Sequence, residues 1–318
     1  MKEPVIGITM GDACGIGPEV VVKALESGEL AEGFTPVVIG DDRVLKQAKQ
    51  LCSASRNYQF VNQSSLHPEI IKEARPSEEA GRASLSYISY AVKMAMQGKL
   101  DAIVTAPISK ESIHMAGSEH PGHTELIKEQ SGAKRVAMMF EGGAFRVVLV
   151  TIHVPLSEVP GLITKDSVLS TIEITDESLK KLCGIEEPRI AVAGLNPHAG
   201  EGGSFGDEES RQITPAVVLA QRRGIDAQGP FPPDTLFYRA ARGEWDAVVA
   251  MYHDQGLIPF KMLSFDEGVN VTLGLPFVRT SPDHGTAFDI AWEGRANPRS
   301  MIEAVKTAMR FAKRMQNS

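Results

Sequence analysis

Three histidines each follow a short apolar run: His153 after FRVVLVTI, His198 after RIAVAGLNP and His253 after DAVVAMY. Runs of this length, rich in Val, Ile and Ala and bounded by turn residues, read as core strands of a parallel sheet. Ligands of open α/β sheets bind at the carboxyl ends of such strands. Imidazole suits Zn, Co, Ni, Fe or Mn, and three ligands leave a coordination position for water or substrate. The trio therefore suggests a divalent metal site, although one strand-end histidine alone reads more readily as structural. Asp254, directly after His253, is a carboxylate partner for that imidazole or a further acid.

Other segments could do chemistry beside it. Lys261 follows the YHDQG segment closely and could bind a carboxylate or polarise a carbonyl, or simply be a solvated lysine. Asn270 sits in a strand-like run, GVNVTLG, where a polar side chain needs a partner. Gly11–Glu19 (GDACGIGPE) follows a strand and opens a helix; its glycines permit close ligand approach or simply make a tight turn. It is not the GxGxxG dinucleotide pattern. Ser109 and Lys110, in TAPISK, suit a capped helix start or a phosphate contact. His123 and Thr124, in PGHTE, could take phosphate or carboxylate oxygens, with Thr124 alternatively a helix N-cap. The polar groups, Gly and Pro of GLPFVRTS (274–281) and DHGTAFDIA (283–291) read as binding loops rather than core. His67, His114 and His120 look ordinary.

These residues need elements to hold them. Strand-like runs lie at 4–10, 35–40, 101–105, 135–140, 145–152, 189–195, 246–252 and 269–273, with helical patterns such as 17–27, 81–97, 166–182, 212–223 and 300–314 between them. That alternation implies βαβ units and largely parallel sheets. Residues 53–80 are polar and weakly patterned, and read as an irregular surface excursion. Neither repeats nor low-complexity tracts occur.

With 318 residues, two domains are the default expectation. The Gly/Pro-rich stretches near 116–122 and 274–285 suggest a discontinuous domain, 1–125 plus 285–318, flanking a second, 126–284. A net charge of −7 argues against general nucleic-acid binding, which needs a basic surface. Three scattered cysteines indicate neither a disulfide framework nor a thiolate zinc site. The N-terminus lacks the apolar core of a signal peptide, and no apolar run reaches membrane-spanning length. A cytoplasmic setting is expected.

Taken together, PGHTE at 121–125, LNPHAGE at 195–201, YHDQG at 252–256 and GLPFVRTS at 274–281 closely resemble the motifs of the 4-hydroxythreonine-4-phosphate dehydrogenase family. The resemblance runs nearly end to end, from Ile8–Asp12 to Asp289–Ala291. GIGPE at 15–19 and HGTA at 284–287 also resemble loops of the isocitrate and isopropylmalate dehydrogenases. The resemblance implies two α/β/α domains of that fold with the active site in the interdomain cleft. It implies metal ligands His153, His198 and His253 for Zn, Co, Mn or Mg, and substrate contacts at His123, Thr124, Lys261, Asn270 and Arg279. It implies NAD held, in a non-Rossmann manner, by Gly15, Gly17, His284, Gly285, Thr286, Ala287 and Asp289. Lys261, Asp234 (in PPDT) and Asp254 become the candidates for proton transfer. It further implies a homodimer with ligands from both chains at the subunit interface.

Ala13-Cys14 stands where many relatives have Pro-Ala. IPFK at 258–261 and AFDIAW at 287–292 look more like the paralogous branch acting on 4-phospho-D-threonate or 4-phospho-D-erythronate. The implied chemistry is oxidation of the C3 hydroxyl of a 4-phosphorylated four-carbon acid, followed by decarboxylation. Two rivals are a metal-dependent hydrolase or lyase without a redox step, and a catalytically silent metabolite-binding paralogue.

Overall fold

The computed structural model describes residues 2–143 and 145–317. Among these the strands are, in chain order, β1 (Val5–Thr9), β2 (Thr35–Gly40), β3 (Gln59–Asn62), β4 (Ala102–Thr105), β5 (Ala137–Gly142), β6 (Phe145–Leu149), β7 (Ile190–Ala193), β8 (Ala227–Phe231), β9 (Ala247–Ala250), β10 (Val269–Leu273) and β11 (Val278–Pro282). The chain divides into two compact units. One runs to Lys134 and resumes over Leu275–Asn317; the other is Arg135–Gly274.

In the first unit the strand order is β3-β2-β1-β4-β11, all parallel. Its central strands β1, β2 and β4 are largely apolar on both faces, as burial of a parallel sheet requires. Ile6, Ile8, Val38, Ile39, Ile103 and Val104 are almost completely buried. The helix Glu78–Met96 packs on β1, β2 and β4, and the helix Arg299–Gln316 on β1, β4 and β11. The latter helix has a marked apolar stripe, Met301, Ile302, Val305, Ala308 and Phe311–Ala312, at the 3.6-residue period. Gly81 allows the first of these helices to approach the segment Lys110–Met115: a Cβ there would lie 1.9 Å from the Ser112 carbonyl oxygen.

In the second unit the order is β10-β5-β6-β9-β7-β8. The pairs from β6 to β8 are parallel, whereas β5 runs antiparallel to both β6 and β10. Successive strand side chains face opposite ways, and the core divides accordingly. Ile190, Val192, Ala247 and Val249 pack with Val168, Ile172, Ala216 and Val217 from the helices Lys165–Ser178 and Thr214–Arg222. Ala191, Ala193, Val248 and Ala250 pack instead with Leu236, Phe237, Leu257 and Phe260 from the helices Pro233–Ala240 and His253–Ser264. Helices thus cover both faces, an α/β/α arrangement. Each fully buried aliphatic or Phe side chain contributes about 1.5–3 kcal/mol. Among the described residues, no helix is long and apolar enough to cross a membrane.

Two readings of the sequence are corrected. The stretch 274–281 is not all binding loop: Val278–Pro282 is a buried strand, in register with β4 through Arg279 and Ile103. Its polar residues tolerate burial because they are bonded. Thr280 Oγ1 donates to the Ala304 carbonyl at 2.8 Å, and Arg279 bonds Thr105. Residues 53–80 are not uniformly irregular, since β3 lies there and pairs with β2.

Candidate active site

In the first unit, the loop after β1 is held by a buried acid. Asp12 Oδ1 accepts the Cys14 backbone N–H at 2.9 Å, and Oδ2 accepts the Ser112 hydroxyl at 2.7 Å. Burial raises the pKa of Asp12, against these hydrogen bonds, and pushes the neighbouring Cys14 thiol up to about 12. The loop meets the 284–287 turn: Ile16 N–H donates to the Thr286 carbonyl at 2.9 Å. A Cβ on Gly15 would lie 2.9 Å from Thr286, and one on Gly17 2.3 Å from the Met10 carbonyl oxygen. Both glycines are therefore required by the chain's own packing. Gly15, Gly17 and Thr286 come together; Ala287 beside them has φ 41°, while Gly285 and Asp289 are exposed. His284 Nδ1 lies 3.1 Å from the Gly285 carbonyl oxygen. Trp292 donates its indole N–H to the Ala13 carbonyl at 2.9 Å, closing the loop from the other side.

Arg279 is 2 % exposed, and its Nε and one terminal nitrogen donate to Thr105 Oγ1 at 3.2 and 2.7 Å. Burial lowers its pKa to about 10, partly offset by Glu125, so it remains a cation at neutral pH. His123 opens the helix His123–Ser131, whose N-cap is Gly122; Thr124 is the second residue of that helix rather than its cap. Among the described residues, His123 Nε2 is buried without a hydrogen-bond partner. Burial, and after it the Arg279 charge, hold His123 neutral well below the ordinary imidazole value. Ser109 does cap its helix, accepting the Ser112 N–H at 3.1 Å, and Lys110 beside it is exposed.

The His123 environment sets a pH dependence. The unfolded chain protonates this imidazole below about 6.5, whereas the native chain does not. The unfolded state then binds more protons, so this contribution to stability is complete above that pH and is lost as the pH falls. The loss approaches about 1.4 kcal/mol per pH unit. Urea unfolding of the wild type and His123→Gln at pH 7, 6 and 5 should show a shallower acid loss in the variant. Identical slopes would rule the effect out.

In the second unit, His153 follows β6 and His253 opens the helix after β9. Their ring centroids are 5.6 Å apart. His253 Nδ1 lies 2.7 Å from Asp254 Oδ1, which leaves Nε2 as the nitrogen available to an ion. Two imidazoles bound to one ion at about 2.1 Å per bond can have ring centres up to roughly 6.5 Å apart, so this pair fits a shared cation. Both line a cavity of about 490 Å³ with Tyr252 and Asp254. Tyr252 and Asp254 also line a second cavity, of about 600 Å³, together with Asn196, His198, Asp234, Phe237 and Ile258.

Among the described residues, no three His, Cys, Asp or Glu side chains are grouped to hold an ion. His198 through Gly202 are five successive residues with left-handed dihedrals, a conformation that costs a non-glycine residue about 1–2 kcal/mol. This turn sets the His198 ring 6.0 Å, centre to centre, from Phe205. Asp234 is exposed in the first turn of its helix, with Oδ1 accepting the Thr235 N–H at 2.9 Å. Lys261 is half-buried on the helix that begins at His253. Asn270 lies on β10, and among the described residues its buried Oδ1 lacks a partner.

The motif reading passed over two residues that organise these strand ends. Gln255 accepts the Met251 N–H and donates to the Gly194 carbonyl, both at 2.7 Å, joining the ends of β9 and β7. Glu209 receives the backbone after β7. Gln255 lies inside the YHDQG motif, which could have pointed to it; Glu209 is the last of three consecutive acids, Asp207–Glu209, and reads as surface.

Parallel strands that end in acid, base and imidazole side chains define an α/β enzyme. The family model "Pyridoxal phosphate biosynthetic protein PdxA" matches residues 32–308. The chain belongs to that family and is a dehydrogenase. It is 51 % identical to the 4-hydroxythreonine-4-phosphate dehydrogenase of Desulforapulum autotrophicum, over 96 % of this chain and 95 % of the relative. It is 42 % identical to the D-threonate 4-phosphate dehydrogenase of Salmonella typhimurium, over 98 % of this chain and 100 % of the relative. The crystal structure of the Klebsiella pneumoniae 4-hydroxythreonine-4-phosphate dehydrogenase superposes with a TM-score of 0.89 at 39 % identity, covering 98 % of each chain. Isocitrate dehydrogenase from Methylococcus capsulatus shares the fold alone, with a TM-score of 0.54 at 12 % identity over 98 % of this chain and 87 % of the other.

Proposed function

We propose that this chain uses NAD to oxidise the C3 hydroxyl of a 4-phosphorylated four-carbon acid, and then releases CO2 from the resulting β-keto acid. The candidate substrates are 4-phospho-D-threonate, 4-phospho-D-erythronate and 4-phosphohydroxy-L-threonine. The observation that carries the reading is the His153–His253 pair with Asp254 on His253, in a chain of a dehydrogenase family. His153, His253 and His198 would hold a divalent ion (Zn, Co, Mn or Mg), which supplies Lewis acidity for both alcohol oxidation and decarboxylation.

The protein's own groups handle protons and orientation. Bound NAD would supply the two-electron acceptor for the C3 hydride, and a base of the protein would take the C3 hydroxyl proton. Loss of CO2 then leaves the bonding pair as an enolate, which takes a proton back at carbon. Lys261, Asp234 and Asp254 are the candidates for these transfers. Arg279 supplies the fixed positive charge for phosphate or carboxylate, while neutral His123, Thr124 and Asn270 supply hydrogen bonds. The Gly15–Gly17 loop and the 284–289 turn, which carries the exposed Asp289, would hold the dinucleotide.

The working form is a homodimer with ligands from both chains. One observation supports it: the helix His253–Ser264 with Phe265 exposes Ile258, Met262, Leu263 and Phe265. Apolar side chains clustered in this way mark an interaction face.

The test is NADH formation, followed by absorbance, with each of the three phospho-acids, with and without chelator. Metal-dependent NADH production with at least one of them is expected. No reduction of NAD with any of the three, in metal-loaded protein, would overturn the reading.

A further inference from the structure

We propose that Glu209 is a positioning residue for His198: its carboxylate clamps the left-handed turn that carries this imidazole. The proposal rests on the reading of His198 as a metal ligand. Glu209 is 5 % exposed. Its Oε1 accepts the backbone N–H groups of Leu195 at 2.8 Å and Asn196 at 2.7 Å, and its Oε2 accepts Asn196 Nδ2 at 3.0 Å. A Cβ on Gly200 would lie 2.6 Å from Oε2, and one on Gly194 3.2 Å from Oε1. The carboxylate is therefore packed against both the entry of the turn and its middle.

The turn lies within the segment Pro197–Gly203. Within and just after it, Ala199 N–H bonds the Asn196 carbonyl, Ser204 the Glu201 carbonyl and Phe205 the Gly200 carbonyl. His198, Ala199 and Glu201 are non-glycine residues at φ 53°, 51° and 42°. Such a backbone persists only where its surroundings over-determine it. Three N–H donors converging on one side chain require an acceptor on both oxygens. A carboxylate satisfies that; a carboxamide turns one of its two groups into a donor facing a donor. Glu208 reinforces the clamp by accepting Asn196 Nδ2 at 2.7 Å.

The experiment measures zinc affinity by competition with a chromophoric chelator, and the visible spectrum of the cobalt-loaded protein. The variants are His198→Ala, Glu209→Gln and Asn196→Ala, with circular dichroism reporting the fold. Glu209→Gln should stay folded, weaken zinc binding about 10–100-fold, the usual consequence of removing a ligand's support, and shift the cobalt bands. If Glu209→Gln does not fold, Asn196→Ala, which removes one of the three donors, should give a several-fold loss with the same spectral shift. Wild-type affinity and spectrum in folded Glu209→Gln, or in Asn196→Ala where that variant decides, overturns the clamp if His198→Ala has lost affinity. Wild-type affinity in His198→Ala itself would instead overturn the assignment of His198 as a ligand, and the clamp with it.

Discussion

Replacing His253 with alanine is expected to lower kcat/KM for metal-dependent NAD reduction by on the order of 10³-fold or more, with matching loss of bound metal. The magnitude follows from losing a Lewis acid worth several kcal/mol at the reacting oxygen. The fold should survive. His253 is partly exposed at the first position of its helix, and alanine is the best helix former. The alanine also leaves Asp254 exposed to water rather than stranded in the core. The check is NADH absorbance beside metal content by elemental analysis. Undiminished turnover in a metal-free variant would remove the histidine pair from the chemistry.

Lys261→Ala is expected to reduce kcat by about 10²–10⁴-fold, the range for loss of a positioned proton-transfer group. Lys261 lies eight residues beyond His253 on the same helix, with Pro259 between them. The split between kcat and KM identifies its role. A fall in kcat at near-constant KM means proton transfer, whereas a rise in KM at constant kcat means that the lysine only binds the substrate. An unchanged kcat would take Lys261 out of the catalytic set.

Much of the site's framework was legible along the chain. His153, His198 and His253 each follow a Val/Ile/Ala run, and in the fold each lies beyond the end of a buried strand: β6, β7 and β9. The inference works because a strand buried on both faces must be apolar throughout, and its carboxyl end is where such a sheet presents polar groups. The family resemblance makes Arg279 a candidate substrate contact, but its burial is not legible along the chain. Its neighbours Thr280 and Ser281 read as loop chemistry, and only the hydrogen bonds to Thr105 and Ala304 make a strand of them. Thr124 shows the same limit: a threonine after Gly-His looks like a cap, yet Gly122 takes that position.

The α/β class, the strand ends that carry histidine and the family motifs can be read along the chain, because periodicity and turn residues are local signals. The antiparallel direction of β5, the His153–His253 pairing, the left-handed turn under His198 and the burial of Glu209 against that turn emerge with the fold. Strand direction, ring separation and the partner of a buried carboxylate depend on groups tens to hundreds of residues apart, and residue type along the chain does not encode those distances.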